Sequence, residues 1–380
     1  MGLGRRRVRR GLALVGLLGA LLVAPVAAAS TRGGNYPVLV VGAGTRSDYV
    51  LVAEGCASLR CLVLDRLDPV TGRITRVTRP PLSPVRDSPS GDLGRLAFAS
   101  ARLGVALVGQ NGTTQKVYAT SDGARSWQRV AFGPGESVLD VTAGGGAVYV
   151  VLAHCRTTRG FERCRDFVLA HASAARAWTS ERVPAAVTAG PPAALSGPQL
   201  GSVAAYGSRV VVVQTSQGSV TLVRTSPDAG RTWTTRSVAW PTLANIAGCS
   251  LSPEGPLVLW ASCPTGMQVS FYRSADGGRT WSAVHQGQFS GTGGGFFAAA
   301  SSSTAYLDYG YPRHVLYVVR APGLRPVRVG PLPCADFTSE TFSDSRHGAI
   351  TCTGSTSPVA APRLMVSSDQ GHNWRAVSIR

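Results

Sequence analysis

The residues best suited to chemistry fall in two short segments. Arg156-Thr-Thr-Arg159-Gly-Phe161-Glu162-Arg163 sets cations around an aromatic ring between Cys155 and Cys164. Asp308-Tyr309-Gly-Tyr311-Pro-Arg313-His314 sets two phenols beside a guanidinium and an imidazole. Arginine forks match planar anions, and aromatic rings offer flat faces to sugars. Arg159, Phe161, Arg163, Tyr309, Tyr311 and Arg313 are therefore candidate ligand-binding residues for a sugar, a carboxylate or an acidic polymer. The same segments would also serve as solvated loops with ordinary tyrosine packing.

Familiar catalytic signatures are missing. The chain has no G-x-S-x-G elbow, Walker loop or H-E-x-x-H helix. Val38-Leu-Val-Val-Gly42-Ala-Gly44 opens like a dinucleotide loop, but Ser47 replaces the third glycine and strand-like Tyr49 to Ala53 follows instead of a helix. No Cys-x2-Cys or His-x3-His spacing occurs, so no metal is expected, no cofactor either, and no residue is assigned a catalytic role. The eight cysteines come in close pairs, Cys56/Cys61, Cys155/Cys164, Cys249/Cys263 and Cys334/Cys352, and in an exported chain such pairs read as local disulfides.

The elements that must position these residues are announced by a repeat. Thr120-Ser-Asp122-Gly-Ala-Arg-Ser126-Trp127, Ser226-Pro-Asp228-Ala-Gly230-Arg-Thr232-Trp233, Ser274-Ala-Asp276-Gly-Gly278-Arg-Thr280-Trp281 and Ser367-Ser-Asp369-Gln-Gly371-His-Asn373-Trp374 share the pattern S/T-x-D-x-G-x-T-W. Apolar alternation precedes each and resumes after the tryptophan, which predicts a hairpin turn. The aspartate can accept backbone N–H groups of its own turn, the glycine tolerates positive φ, and the tryptophan enters the next strand to bury its indole.

The repeat resembles the Asp-box, or bacterial neuraminidase repeat, of sialidase-like β-propellers. In that family the box joins the third and fourth strands of a blade at the outer rim, away from the central channel. The resemblance makes Asp122, Trp127, Asp228, Gly230, Trp233, Asp276, Gly278, Trp281, Asp369, Gly371 and Trp374 structural. A calcium role is disfavoured because each turn supplies one carboxylate where calcium takes several.

The tryptophans recur with a period of about 50 residues or twice that, as expected of a propeller blade. Trp178 closes a degraded copy of the motif, and Leu62 to Val77 and Val315 to Val329 form hairpins without it. Seven hairpins, each preceded by two more strand-like runs, predict an all-β chain forming a single propeller of about seven four-stranded blades over residues 36–380. Six or eight blades remain open. The last strand ends its module cleanly, so no strand exchange to close the ring is foreseen.

Composition agrees with this class. Hydrophobic residues make up 44% and charged residues 15%, which excludes a disordered polyelectrolyte, while Gly 45 and Pro 24 point to many turns. Residues 1–29 read as a secretory signal: five arginines between Arg5 and Arg10, an apolar stretch, then Ala27-Ala-Ala29. Residues 30–35 would be a short linker. Cleavage makes the protein secreted or extracytoplasmic, with possible envelope association; an uncleaved helix would tether it to a membrane. The formal charge is +18, falling to about +13 without the signal by the same count.

Two functions follow as expectations. One is a non-catalytic binding or scaffold protein, a monomer, whose partner is an anionic glycan, envelope polymer or protein; nucleic acid is not expected. The alternative is a sialidase-like glycoside hydrolase. Members of that type use an arginine triad, a Glu-activated Tyr and an Asp, with an Arg-Ile-Pro signature in the first blade. Here the first strand reads Asn35-Tyr-Pro-Val-Leu-Val, and none of Glu54, Glu136, Glu162, Glu181, Glu254 and Glu340 has a recognisable tyrosine partner.

Overall fold

The computed structural model describes residues 36–42, 48–53, 62–78, 93–108, 116–158, 161–175, 177–182, 200–215, 221–238, 249–265, 268–284, 297–309, 314–334, 337–352 and 363–379. Residues 1–35, which hold the expected signal and linker, lie outside this set, as do Cys56 and Cys61. The described strands form seven antiparallel four-stranded sheets, each built from four strands consecutive in the chain. Blades 1 to 7 span 36–78, 93–130, 136–182, 200–238, 250–283, 297–331 and 337–377. The first strand of each blade is the inner one, and such strands of neighbouring blades touch from blade 2 through blade 5 and from blade 6 through blade 7 to blade 1.

Both faces of each sheet must be covered, and seven core clusters do this, one at every blade boundary. This explains the nearly continuous apolar runs, such as Val210 to Val213, all buried. Val50, Val52 and Leu67 of blade 1 pack on Ala349, Leu364 and Val366 of blade 7, and among the described residues no strand is exchanged between these blades.

The recurring tryptophans are wedges. Trp127, Trp178, Trp233, Trp281 and Trp374 each begin or precede the outer strand of their own blade and pack in the cluster shared with the preceding one. At the boundaries of blades 1 with 2 and 6 with 7 the arrangement is the same down to ring geometry. Tyr49 stacks on Phe98, which meets Trp127 edge-on, and Tyr306 stacks on Phe342, which meets Trp374 edge-on. Gly104 and Gly348 are required there, because a Cβ at either would lie within 3 Å of the phenylalanine ring.

Cys249 bonds to Cys263 and Cys334 to Cys352, tying the entrance of the first strand to the second in blades 5 and 7. In blade 3, Cys155 is disulfide-bonded and stands across the ladder from Cys164. These positions match the expected pairing.

Candidate functional site

The four repeated turns spend their carboxylates internally. In blade 5, Asp276 Oδ1 accepts from Ser274 Oγ at 2.8 Å and from the N–H of Thr280 at 2.9 Å, while Oδ2 accepts from Thr280 Oγ1 at 2.6 Å. Ser274 Oγ in turn accepts the N–H of Gly278 at 2.8 Å. Asp122, Asp228 and Asp369 repeat the pattern. Burial pushes the Asp122 carboxyl up, and the hydrogen bonds from Ser126 and Thr120 outweigh it, holding the group down at about 2. One bond was not foreseen from sequence. A turn N–H donates to the first-to-second strand turn of the same blade in blades 2, 4, 5, 6 and 7, from Gly123, Ala229, Gly277, Ala321 and Gln370, so blade 6 keeps it without the motif.

An ion pair joins the inner strands of two neighbouring blades. Arg95, on the inner strand of blade 2 (Leu93–Phe98), places Nη1 2.8 Å from both oxygens of Asp140 on the inner strand of blade 3 (Glu136–Gly144). Its Nη2 donates to the carbonyl of Leu251 in blade 5 at 3.1 Å. Asp140 Oδ2 also accepts the N–H of Val203 in blade 4 at 2.8 Å, and Oδ1 that of Val141 at 2.8 Å. Inner strands of four consecutive blades thus share one guanidinium and one carboxylate. Nothing in the local sequence of either residue signals this, because the partners lie 45 and 156 positions apart.

In a four-stranded meander the second-to-third strand connections and the links between blades emerge on one face. The repeated turns and the first-to-second connections emerge on the other. Both candidate segments therefore belong to the first face. Arg159, Tyr311 and Arg313 lie outside the described residues. Phe161 and Arg163 are placed by backbone only: they stand opposite Thr158 and Arg156 in the ladder of blade 3. Tyr309 ends the second strand of blade 6, opposite Val315. The structure does not bring the two segments together, since they belong to blades 3 and 6.

Beneath the second segment sits a polar group that sequence reading missed in part. His314 Nδ1 lies 2.7 Å from Asp308 Oδ2, and the Asp308 side chain is sealed from solvent. Glu340, on the inner strand of blade 7 (Phe337–Phe342), faces the same seam. Both its oxygens are buried with no hydrogen-bond partner among the described residues. Burial, and after it the charge of Asp308, push the Glu340 carboxyl well above the usual range. Asp308 and His314 were within the segment singled out by sequence; Glu340 was reachable only through the blade 6 to blade 7 contact.

Among the described residues no group of three or more His, Cys, Asp or Glu side chains could hold a metal ion. No protein-family model matches the chain, and no curated protein matches it. Solved structures do. A puromycin-hydrolysing peptidase of Mycobacterium tuberculosis is similar at a TM-score of 0.58 with 14% identity, over 92% of this chain and 54% of that one. A puromycin hydrolase is similar at 0.55 with 18% identity, over 93% of this chain and 55% of the other. YCF48 from Cyanidioschyzon merolae is similar at 0.47 with 15% identity, over 75% and 84%. The likeness is one of fold alone. The chain spans about half the length of either peptidase.

Proposed function

We propose that this chain is an exported, non-catalytic propeller of the Asp-box type that binds an anionic glycan, envelope polymer or protein partner through its second-to-third strand face. The observation that carries this reading is the commitment of the repeated carboxylates. All four turn aspartates satisfy both oxygens within their own turns, and Asp140 is held by Arg95 and two backbone N–H groups. These five carboxylates are occupied in holding turns and blades and are not free to act on a substrate. The excess cations remain, and a net charge of about +13 without the signal favours anionic partners. The export signal directs that choice to the outside of the membrane.

The experiment has two arms. A fluorogenic sialoside is expected to remain uncleaved, and the purified protein is expected to be retained by immobilised envelope glycan or by a defined envelope protein. Turnover of the sialoside that disappears when Tyr309 or Tyr311 is replaced by phenylalanine would overturn the reading in favour of a sialidase.

A further inference from the structure

The second and third strands of blade 3, Ala147–Thr158 and Phe161–Ala172, run for 12 residues each, where the described parts of those strands in the other six blades run for 5 to 7. The inner strand of the blade follows the second only as far as the pair Glu136 with His154. The outer strand pairs with the third only over Val168 to Ala172. Residues 155–158 and 161–164 therefore pair with each other and, among the described residues, with no other strand. They form a two-stranded arm.

An isolated two-stranded hairpin is marginal in water. This one is stapled at Cys155, and its base carries a bulge. The register shifts between Leu152 and His154, and Asp166 sits at φ 56°. A bulge at that point bends the strand pair at the base of the arm. The core between blades 3 and 4 reaches the base of the arm, with Ala153 and Phe167 buried in it and Cys155 packed against it.

The register of the arm sorts its charges. Arg156 stands opposite Arg163, His154 opposite Arg165, and Thr158 opposite Phe161. Positions two apart share a face, so one face of the arm holds three arginine positions, a histidine and a phenylalanine. Cys155 with Cys164, and Thr157 with Glu162, occupy the other. Like charges directly opposite destabilise a strand pair. Protection of exposed edges calls for charge, but not for charge of one sign gathered on one face. A local rule broken without a structural gain points to function.

We propose that this face of the blade 3 arm is the docking surface for a polyanionic glycan chain. Arg156, Arg163 and Arg165 would receive its sulfate, phosphate or carboxylate groups, and Phe161 would offer a platform for a sugar ring. The inference rests on the binding reading given above and narrows it to one element and one ligand class. Cross-strand neighbours about 5 Å apart and same-face neighbours about 7 Å apart form a small cation lattice on the scale of a sugar repeat.

Fluorescein-labelled heparin, a polysulfated glycan, is the probe, read by anisotropy against the whole protein at about 0.15 M salt. The Arg156→Ser/Arg163→Ser variant is expected to lose affinity roughly tenfold or more. Arg163→Glu alone should lose at least as much as a single serine replacement. Arg231→Ser/Arg279→Ser, which removes the same charge from exposed turns on the opposite face, should change affinity less than twofold, or about 0.4 kcal/mol. Equal loss in both double variants would overturn the inference in favour of diffuse charge. Tighter binding to phosphatidylglycerol vesicles than to heparin would overturn it in favour of a lipid surface. Retention on envelope glycan or protein with no heparin binding would sink the arm proposal while leaving the wider binding reading intact. Unchanged melting temperature and circular dichroism in each variant show that the fold is kept.

Discussion

Asp140 accepts a single nitrogen of Arg95 on both its oxygens at 2.8 Å, and through this pair the inner strands of blades 2 and 3 are joined to those of blades 4 and 5. Both side chains are largely withdrawn from solvent, at 27% and 10% exposure. The pair therefore belongs to the class where removing one partner costs more than the pair itself contributes. Asp140→Ala strands a guanidinium and two backbone N–H groups, and its unfolding free energy is expected to fall by roughly 2–4 kcal/mol. Arg95→Met leaves Asp140 with its two N–H donors and should cost less. Chemical denaturation midpoints at constant m-value check both. A larger loss in Arg95→Met than in Asp140→Ala would contradict this account of the channel.

Buried acids give the fold a pH dependence of unusual sign. Asp48 has both oxygens sealed without a hydrogen-bond partner among the described residues. Burial first, and the charge of Asp344 second, push it up to about 8. The folded state then binds a proton that the unfolded chain releases near its ordinary value of 3.8. Between those two values stability falls as pH rises, and above the folded value the slope vanishes. Glu340 acts in the same direction. The turn aspartate Asp122 works oppositely, losing its contribution only as pH falls from 3.8 toward about 2. The protein is expected to melt at higher temperature near pH 5 than near pH 8. Asp48→Asn should flatten that decline by an amount on the order of a few kcal/mol. An Asp48→Asn profile parallel to wild type from pH 5 to 8 would refute the assignment.

Local patterns carried most of the architecture into the sequence. Trp233 and Trp281 mark adjacent blades because each packs as the wedge of its own blade, and Val315 to Arg320 reads as a strand even though its blade lacks the motif. The cysteine partners lie 14 and 18 residues apart, close enough for pairing by proximity. What stayed hidden is non-local. The wedge points toward the preceding blade, a fact of ring geometry that the spacing of Trp374 cannot express. Arg95 and Glu340 find their neighbours only when separate blades meet. The arm was legible as a basic segment between Cys155 and Cys164, but the facing of Arg156 on Arg163 needed the ladder.

The disulfides act on single blades. Cys249–Cys263 and Cys334–Cys352 close segments of 14 and 18 residues, for which chain entropy gives about 3 kcal/mol each. Reduction is expected to lower stability by that order per bond while leaving the far-UV spectrum of the sheets unchanged at room temperature. The effect of Cys249→Ser/Cys263→Ser should add to that of Cys334→Ser/Cys352→Ser, because blades 5 and 7 share no core cluster. Strong non-additivity in denaturant unfolding would mean that the bonds act on the ring as a whole.

The repeated motif separates into two parts with different energies, and mutation should resolve them. Asp276 accepts bonds only within its turn, from the buried Ser274 and the exposed Thr280, so Asp276→Ala is expected to cost about 1–2 kcal/mol, as removal of a capping residue does. Trp281 is buried at the blade 4 boundary and donates its indole N–H to the carbonyl of Gly278 at 3.1 Å. Trp281→Ala removes the largest side chain of that contact and is expected to cost about 3–5 kcal/mol. Gly371→Ala in blade 7 should also be costly, since its φ of 84° disfavours a side chain and the added Cβ would strike Leu316 of blade 6. Partner binding should survive each change wherever the fold does, because these turns emerge on the face opposite the arm. Loss of binding in a folded Asp276→Ala variant would give the turn a role in recognition and move the functional face to the other side of the ring.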